Sequence, residues 1–324
     1  FVQISAPDAQ ASSKHVFYST KAAGDSHVKR SGLDWMIMRP GLVIGRAAYG
    51  GTHLLRAMAS FPSVQPVIFS KKRVQTVALT DVALVACDGA EGKISSGSDF
   101  DVLEDDSHSF GEILALYRKW LGIAPARFEI NIPLWMARIG AKAADGLAWL
   151  GWRLPFRTTS LRVMEDNVLG DSAKFKTVST RKLRTFAETL AAMPASNVER
   201  FHARISLFLP LLLITLSGFW LASGIIGLLH VKQAIAVLPE TMDAHMARAF
   251  VLTGSGVDIG LGLLIWLRKW TRAACLGMGF VTAIYLVSAT FITPHLWADP
   301  MGPLVKSIPA MALALFTSFF LEER

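Results

Sequence analysis

Asp258 is the residue of this 324-residue chain whose chemistry first asks for an account. It is the only charged residue among the nineteen of Ala249–Leu267, a stretch long enough to cross a bilayer. A carboxyl at that depth marks either a working site or a group hydrogen-bonded inside a helix bundle. The neighbouring Gly254, Gly256, Gly260 and Gly262 suit close helix packing equally well. Tyr18 and Lys21 form a second pair, three residues apart and therefore neighbours on one helix face. On their own these two residues read as a half-buried aromatic and a solvated lysine. Gln75 either faces a pocket or decorates a strand surface.

Other groups read as ordinary surface. Lys71-Lys72-Arg73 suits a solvated turn more than a phosphate site, and Glu104-Asp105-Asp106 reads as a solvated acidic loop without the spacing of paired acid–base carboxylates. The eight histidines are scattered with no i,i+4 pair, so no metal is expected. Cys87 and Cys275 read as two apolar thiols, with no disulfide framework. Thr253 to Gly260 imitates a dinucleotide loop, but Ile259 stands where the third glycine belongs, and the segment continues as an apolar span.

The elements that must position these groups alternate over the first part of the chain. Strands are expected at Phe1–Ser5, at Asp34–Met38 stopped by Pro40, near Val74–Leu79 and at Phe100–Leu103, with Phe128–Ile130 extended. Helices are expected at about Lys14–Arg30, Thr52–Ser60, Val82–Asp88 capped by Asp81, Phe110–Leu121 capped by Ser109, Pro133–Leu150 and Thr180–Ala192. A glycine-rich loop, Gly41–Gly51, lies between two of them. Strands alternating with helices predict a parallel α/β sheet.

Composition changes along the chain. Hydrophobic residues make up 52% and charged residues 18%, with mean hydropathy +0.39, which excludes a disordered chain and an enzyme soluble throughout. Residues 205–324 hold seven basic and six acidic residues, against 26 and 19 in residues 1–204. Four spans are expected: Ile205–Leu229, Ala249–Leu267, Ala273–Ile292 and Met301–Leu321. The first, uncharged, would reach roughly 38 Å across a core of about 30 Å. Pro210, Pro303 and Pro309 are expected near span starts, Ser196–Ala203 as the joint, and Trp220, Trp266, Trp270 and Trp297 near interfaces. The domains are therefore expected at residues 1–195 and 196–324.

Arg200, Arg204, Arg268, Lys269, Arg272 and Arg324 fall on one side of these spans. Lys232, Arg248 and Lys306, diluted by Glu240, Asp243 and Asp299, fall on the other. That bias predicts a four-span membrane protein with its soluble part and both termini in the cytoplasm. The lipid bilayer is the expected partner. Nucleic acid is not, because the pI near 9.6 comes with no basic stripe interleaved with aromatics. Phe1-Val2-Gln3-Ile4 reads as the start of a buried strand, so the chain is expected to be a fragment.

Ser5, the helix Phe17-Tyr18-Ser19-Thr20-Lys21-Ala22-Ala23, Leu33-Asp34-Trp35-Met36-Ile37-Met38-Arg39-Pro40 and the stretch from Gln75 to Asp81-Val82-Ala83 carry a family resemblance. Together they resemble the second half of an atypical, epimerase-like short-chain dehydrogenase/reductase, of the branch that includes a complex I accessory subunit. Residues 198–324, with Trp297-Ala298-Asp299-Pro300-Met301-Gly302-Pro303-Leu304, are similar to the DoxX-like membrane domain. The resemblance implies a partial Rossmann-like sheet followed by an all-α four-helix transmembrane domain, and NAD(P) as cofactor. The phosphate-binding loop of that family has no counterpart in this chain. By resemblance Ser5 polarises a carbonyl, and Lys21 holds the nicotinamide ribose and lowers the pKa of a neighbouring tyrosine. Arg39, Pro40 and Gly41 line the nicotinamide end, with Gln75 on the substrate side. The family pattern Tyr-x-x-x-Lys puts Phe17 where the catalytic tyrosine belongs, and Tyr18 comes one residue late. The implied functions are an NAD(P)-dependent oxidoreductase or epimerase-like protein on a lipophilic substrate, with catalysis impaired, or a non-catalytic membrane scaffold.

Overall fold

A computed structural model describes residues 1–152, 154, 156–165, 167–239 and 241–321. Glu240 and Arg324, both counted in the charge bias above, lie outside the described residues. The chain divides into two compact units, Phe1–Asp145 with Leu154–Arg204, and Gly146–Arg153 with Ile205–Arg324.

In chain order the first unit forms β1 (Val2–Ile4), α1 (Val16–Lys29), β2 (Met36–Pro40), β3 (Leu42–Ile44), α2 (Gly51–Ala59), β4 (Val64–Val67), β5 (Arg73–Val74), β6 (Thr76–Ala78) and α3 (Leu79–Ala90). It continues with β7 (Ser98–Val102), β8 (His108–Ser109), α4 (Phe110–Trp120), β9 (Phe128–Asn131), α5 (Leu134–Trp149), α6 (Thr158–Met164), α7 (Ala173–Val178) and α8 (Phe186–Ala192). The main sheet has the order β1-β2-β7 and is parallel throughout, with Ile4 opposite Met38 and Pro40 opposite Val102. Parallel pairs β3–β6 and β4–β9 continue the pattern, and β5–β8 is antiparallel. Parallel strands joined through helices are the Rossmann-like α/β arrangement.

Several elements differ from the sequence expectation, each for a local reason. Pro40 is the last residue of β2 rather than the one that stops it; a strand end tolerates its missing N–H. The expected loop 41–51 contains β3, because Leu42 to Ile44 pair with Thr76 to Ala78. Asp81 does not cap α3. That helix starts at Leu79 with Ala78 as N-cap, so Asp81 sits in the first turn, where it receives Arg184 N at 3.0 Å. The helix expected from Thr180 begins at Phe186, after a reciprocal Thr185–Glu188 capping box. Ser109 does cap α4, with Glu112 completing the same kind of box. Strand β4 and helices α6 and α7 have no counterpart in the expectation.

The unit's core gathers Ile44, Leu55, Val67, Phe110, Tyr117 and Phe186 between α2, α4 and α8. Met36, Met38, Val77, Val85, Phe100 and Phe175 pack a second cluster against the main sheet.

The second unit holds the rest of α9 (Asn197–Leu229), α10 (Val231–Ala236), α11 (Ala244–Leu264), α12 (Thr271–Ile292), a 3-10 turn at Pro294–Trp297 and α13 (Pro303–Phe320). Helices α9, α11, α12 and α13 are each long and apolar enough to cross a membrane. Residues 197–203 of the expected joint form the first part of α9, and Ser196 precedes it. Ser196 donates to Glu199 through its amide and hydroxyl, which fixes the start of the helix. Pro210 and Pro309 lie inside α9 and α13, where each removes a backbone hydrogen bond, and only Pro303 is at a helix start.

Small residues let these helices approach. A Cβ on Gly224 would stand 2.6 Å from Ser255 O, and one on Gly262 would stand 2.9 Å from Leu221 Cγ. A Cβ on Gly256 or Gly260 would meet nothing within 4 Å among the described residues, so close approach within the unit does not require glycine at these two positions. Trp220 is buried within the unit.

Candidate functional site

The carboxyl ends of β1 and β2 collect most of the polar residues singled out above. Ser5 follows β1 and is fixed by its amide on Met38 O at 2.9 Å. Its hydroxyl donates to Asp25 Oδ2 at 2.8 Å. A hydroxyl whose one proton is given to a carboxylate acts there as an acceptor rather than a donor. The same Asp25 oxygen accepts Arg39 Nη2 at 3.1 Å, and Arg39 also pairs with Asp99, which in turn pairs with Lys29. Asp25 is buried, and its second oxygen, Oδ1, has no hydrogen-bond partner among the described residues.

Sequence reasoning missed Asp25 and Asp99. Asp25 lies four residues after Lys21, on the same face of α1, and that spacing is the signal that could have found it. Asp99, on β7, becomes a neighbour only through strand pairing.

Lys21 reaches back from α1 to place Nζ 3.1 Å from Ile4 O, at the strand end next to Ser5. One of its three protons is used there, and the side chain is half-buried. Phe17, one helical turn earlier, is 48% exposed, whereas Tyr18 is 6% exposed. The Tyr18 ring packs edge-on to Phe17 and His15, with centroids at 5.2 and 6.0 Å. The side chain at Lys21 spacing on the open face is therefore a phenyl ring, and the phenol points inward.

Gly41 follows β2 with its amide on Val102 O at 3.1 Å, and a Cβ there would stand 2.5 Å from Gln75 O. Only glycine fits that approach of two backbones. Gln75 is buried, donates to Glu104 O at 2.8 Å and accepts Gly170 N at 2.9 Å. Its amide ties three backbone segments together.

Glu104 corrects the expectation of a solvated acidic run. It is 2% exposed and accepts Thr76 N at 3.1 Å, Thr76 Oγ1 at 2.5 Å and Phe186 N at 2.8 Å. His108 Nε2 lies 3.3 Å from Glu104 Oε2 without hydrogen-bond alignment. Asp105 and Asp106 are exposed as expected. In the basic run, Arg73 hydrogen-bonds Ser107 through Nε at 2.8 Å. No group of three or more His, Cys, Asp or Glu suited to a metal occurs among the described residues.

Charge around Arg39 makes the first unit acid-sensitive. Burial works to raise the Asp99 carboxyl, and hydrogen bonds from Arg39 and Lys29 outweigh it, so Asp99 sits below the ordinary carboxylate range. A lowered folded-state pKa stabilises above the unfolded value near 3.9, and that contribution disappears as pH falls through the folded value. Thermal unfolding between pH 7 and pH 2.5 is therefore expected to show a loss below about pH 4 that Asp99→Asn makes shallower. An identical acid profile in the variant would contradict the assignment.

In the second unit Asp258 is buried and receives Ser223 Oγ at 2.7 Å and Tyr285 Oη at 3.1 Å. One carboxyl thus joins α9, α11 and α12. A Cβ on Gly254 would stand 3.1 Å from Tyr285 Oη, so that glycine makes room for the phenol. Nearby, Trp266 Nε1 donates to Ser217 Oγ at 2.8 Å, and Ser217 donates to Gly262 O at 2.8 Å.

Residues of the nicotinamide end implied by the resemblance divide in two. Ser5 and Arg39 are engaged with carboxylates inside the protein. Lys21 keeps donors at the open face of α1.

Residues 217–315 match the DoxX-like family. No curated protein matches the chain. Among solved structures, it is similar to gox2253, with 15% identity over 63% of this chain and 66% of that one and a TM-score of 0.42. It is also similar to RMD from Pseudomonas aeruginosa complexed with NADPH, with 13% identity over 63% and 66% and a TM-score of 0.42. The UDP-glucuronic acid 4-epimerase from Bacillus cereus, in complex with UDP-glucuronic acid and NAD, gives 12% identity over 63% and 61% and a TM-score of 0.39. The chain spans no more than 66% of the length of these three.

Proposed function

We propose that this protein is a membrane-anchored, NAD(P)-dependent oxidoreductase or epimerase-like protein with impaired catalysis, whose substrate is lipophilic and reaches it from the bilayer. The observation that carries the reading is Lys21 holding Ile4 O beside Ser5, on a helix whose Tyr-x-x-x-Lys position is filled by Phe17. A bound nicotinamide nucleotide would supply a hydride. Of this chain's residues, Lys21 would bind the ribose hydroxyls, while Pro40 and Gly41 would leave room beside the ring. A phenyl ring at position 17 has no proton to give, which accounts for weak chemistry. The excess of Arg200, Arg204, Arg268, Lys269 and Arg272 on one side of the spans supports a cytoplasmic location for the α/β unit. Tethering to four spans supports a substrate dissolved in lipid.

A non-catalytic membrane scaffold is the second reading, favoured by the commitment of Ser5 and Arg39 to Asp25 and Asp99. The test is NADPH and NADH titration of the protein in nanodiscs. Binding in the micromolar range is expected. Lys21→Met is expected to weaken it roughly 10- to 100-fold, the effect of one or two hydrogen bonds from a charged donor. No binding of either nucleotide at millimolar concentration would overturn the reading. Binding without turnover on any carbonyl substrate would support the scaffold.

A further inference from the structure

The turn between α11 and α12, residues 265–270, joins two of the helices long and apolar enough to cross a membrane, and a distant piece of chain is bound to it. Gly146–Arg153 belongs to the transmembrane unit rather than to the α/β unit. It is held by Arg268 N on Leu150 O at 2.9 Å and by Trp152 Nε1 on Trp266 O at 2.7 Å. The Arg268 guanidinium lies over the Trp152 ring at 5.3 Å, and Lys269 Nζ lies over the Trp270 ring at 5.6 Å.

Two properties of this end identify its partner. Trp149 is 94% exposed and Trp270 is 49% exposed, and the segment that carries Trp149 is bound to the turn that carries Trp270. An indole left in water there forfeits the gain of a site that is apolar on one side and wet on the other, the environment tryptophan favours at membrane interfaces. Within these two segments the charge is of one sign. Arg268, Lys269 and Arg272 are basic, and neither 146–153 nor 265–272 contains an acidic residue.

We propose that this aromatic and basic end of the transmembrane unit is a binding site for anionic phospholipid headgroups. Trp149 and Leu150 enter the headgroup layer, and Lys269 and Arg272, both exposed, pair with lipid phosphates. The 146–153 segment acts as a hook that presents Trp149 to the leaflet. The site is independent of the nucleotide reading, since it uses no residue of the α/β site.

The test reads lipid retained on the full chain by native mass spectrometry, in detergent containing equal phosphatidylglycerol and phosphatidylcholine. Preferential retention of phosphatidylglycerol is expected. The pair Lys269→Gln with Arg272→Gln is expected to reduce that preference roughly 30-fold, about five-fold for each cation near an anionic surface. The swap Lys269→Arg with Arg272→Lys keeps the charge and is expected to keep the preference. An unchanged preference in the glutamine pair, or equal loss in the charge-preserving swap, would overturn the proposal. Displacement of the lipid by inorganic phosphate at matched headgroup concentration would assign the cations to a soluble anion and overturn it also. In vesicles with brominated acyl chains, the fluorescence difference between the wild type and Trp149→Phe is expected to be quenched. An unquenched Trp149 would mean that this face meets another protein surface instead.

Discussion

Glu104→Ala is expected to unfold the α/β unit at or near room temperature. The buried carboxyl receives two backbone amides, those of Thr76 and Phe186, together with the Thr76 hydroxyl. Truncation leaves three donors without an acceptor in a site closed to bulk water. At about 1–3 kcal/mol for each unsatisfied buried group, the loss is roughly 3–9 kcal/mol before any cavity is counted. That is comparable to the whole stability of an ordinary domain, about 5–15 kcal/mol. Glu104→Gln keeps the shape and one good acceptor oxygen, so a loss of about 1–2 kcal/mol is expected. Urea unfolding of the full chain, followed by protease sensitivity of the α/β unit, measures both. Equal stability of wild type and Glu104→Ala would show that the carboxyl does not hold β6 to α8.

The second large effect concerns chemistry. Phe17→Tyr places a phenol on the exposed face of α1, four residues before Lys21, where an ammonium can lower its pKa. General acid–base assistance contributes about 10²- to 10⁴-fold, so carbonyl reduction by the variant is expected to rise by at least about 10²-fold over the wild type. Stability should change little, because Phe17 is largely exposed. Lys21→Met in the same background is expected to cancel the gain. If Tyr18→Phe abolished a measurable wild-type turnover, the proton donor would be Tyr18 and the inward packing of its ring would have to open. If Phe17→Tyr brought no turnover on any substrate that binds, the scaffold reading would gain.

What the sequence could show depended on how local the cause was. Helix α4 was legible because Ser109 and Glu112 form its capping box within four residues. The spans were legible because apolar length is a property of a single segment. Strand β4 was not: Pro66 sits inside it, and proline argues against a strand unless the position is near a sheet edge. The start of α9 carried a readable signal in Ser196 and Glu199, but a polar stretch before an apolar span also resembles a joint. The candidate site was half legible. Lys21 and Gly41, which the resemblance singled out, lie beside β1 and after β2. What Ser5 and Arg39 bind could not be read, because Asp25 and Asp99 reach them from another helix and another strand. Glu104 was misread for the same reason. An acidic run looks solvated until Phe186, far along the chain, supplies a donor for its first member.

The Asp258 carboxyl is a single knot on which three spans close, since Ser223 of α9 and Tyr285 of α12 both donate to it. One residue inserted into any of the three helices would swing its share of that knot by about 100°. Length changes in these spans should therefore be tolerated far less well than substitutions at exposed positions.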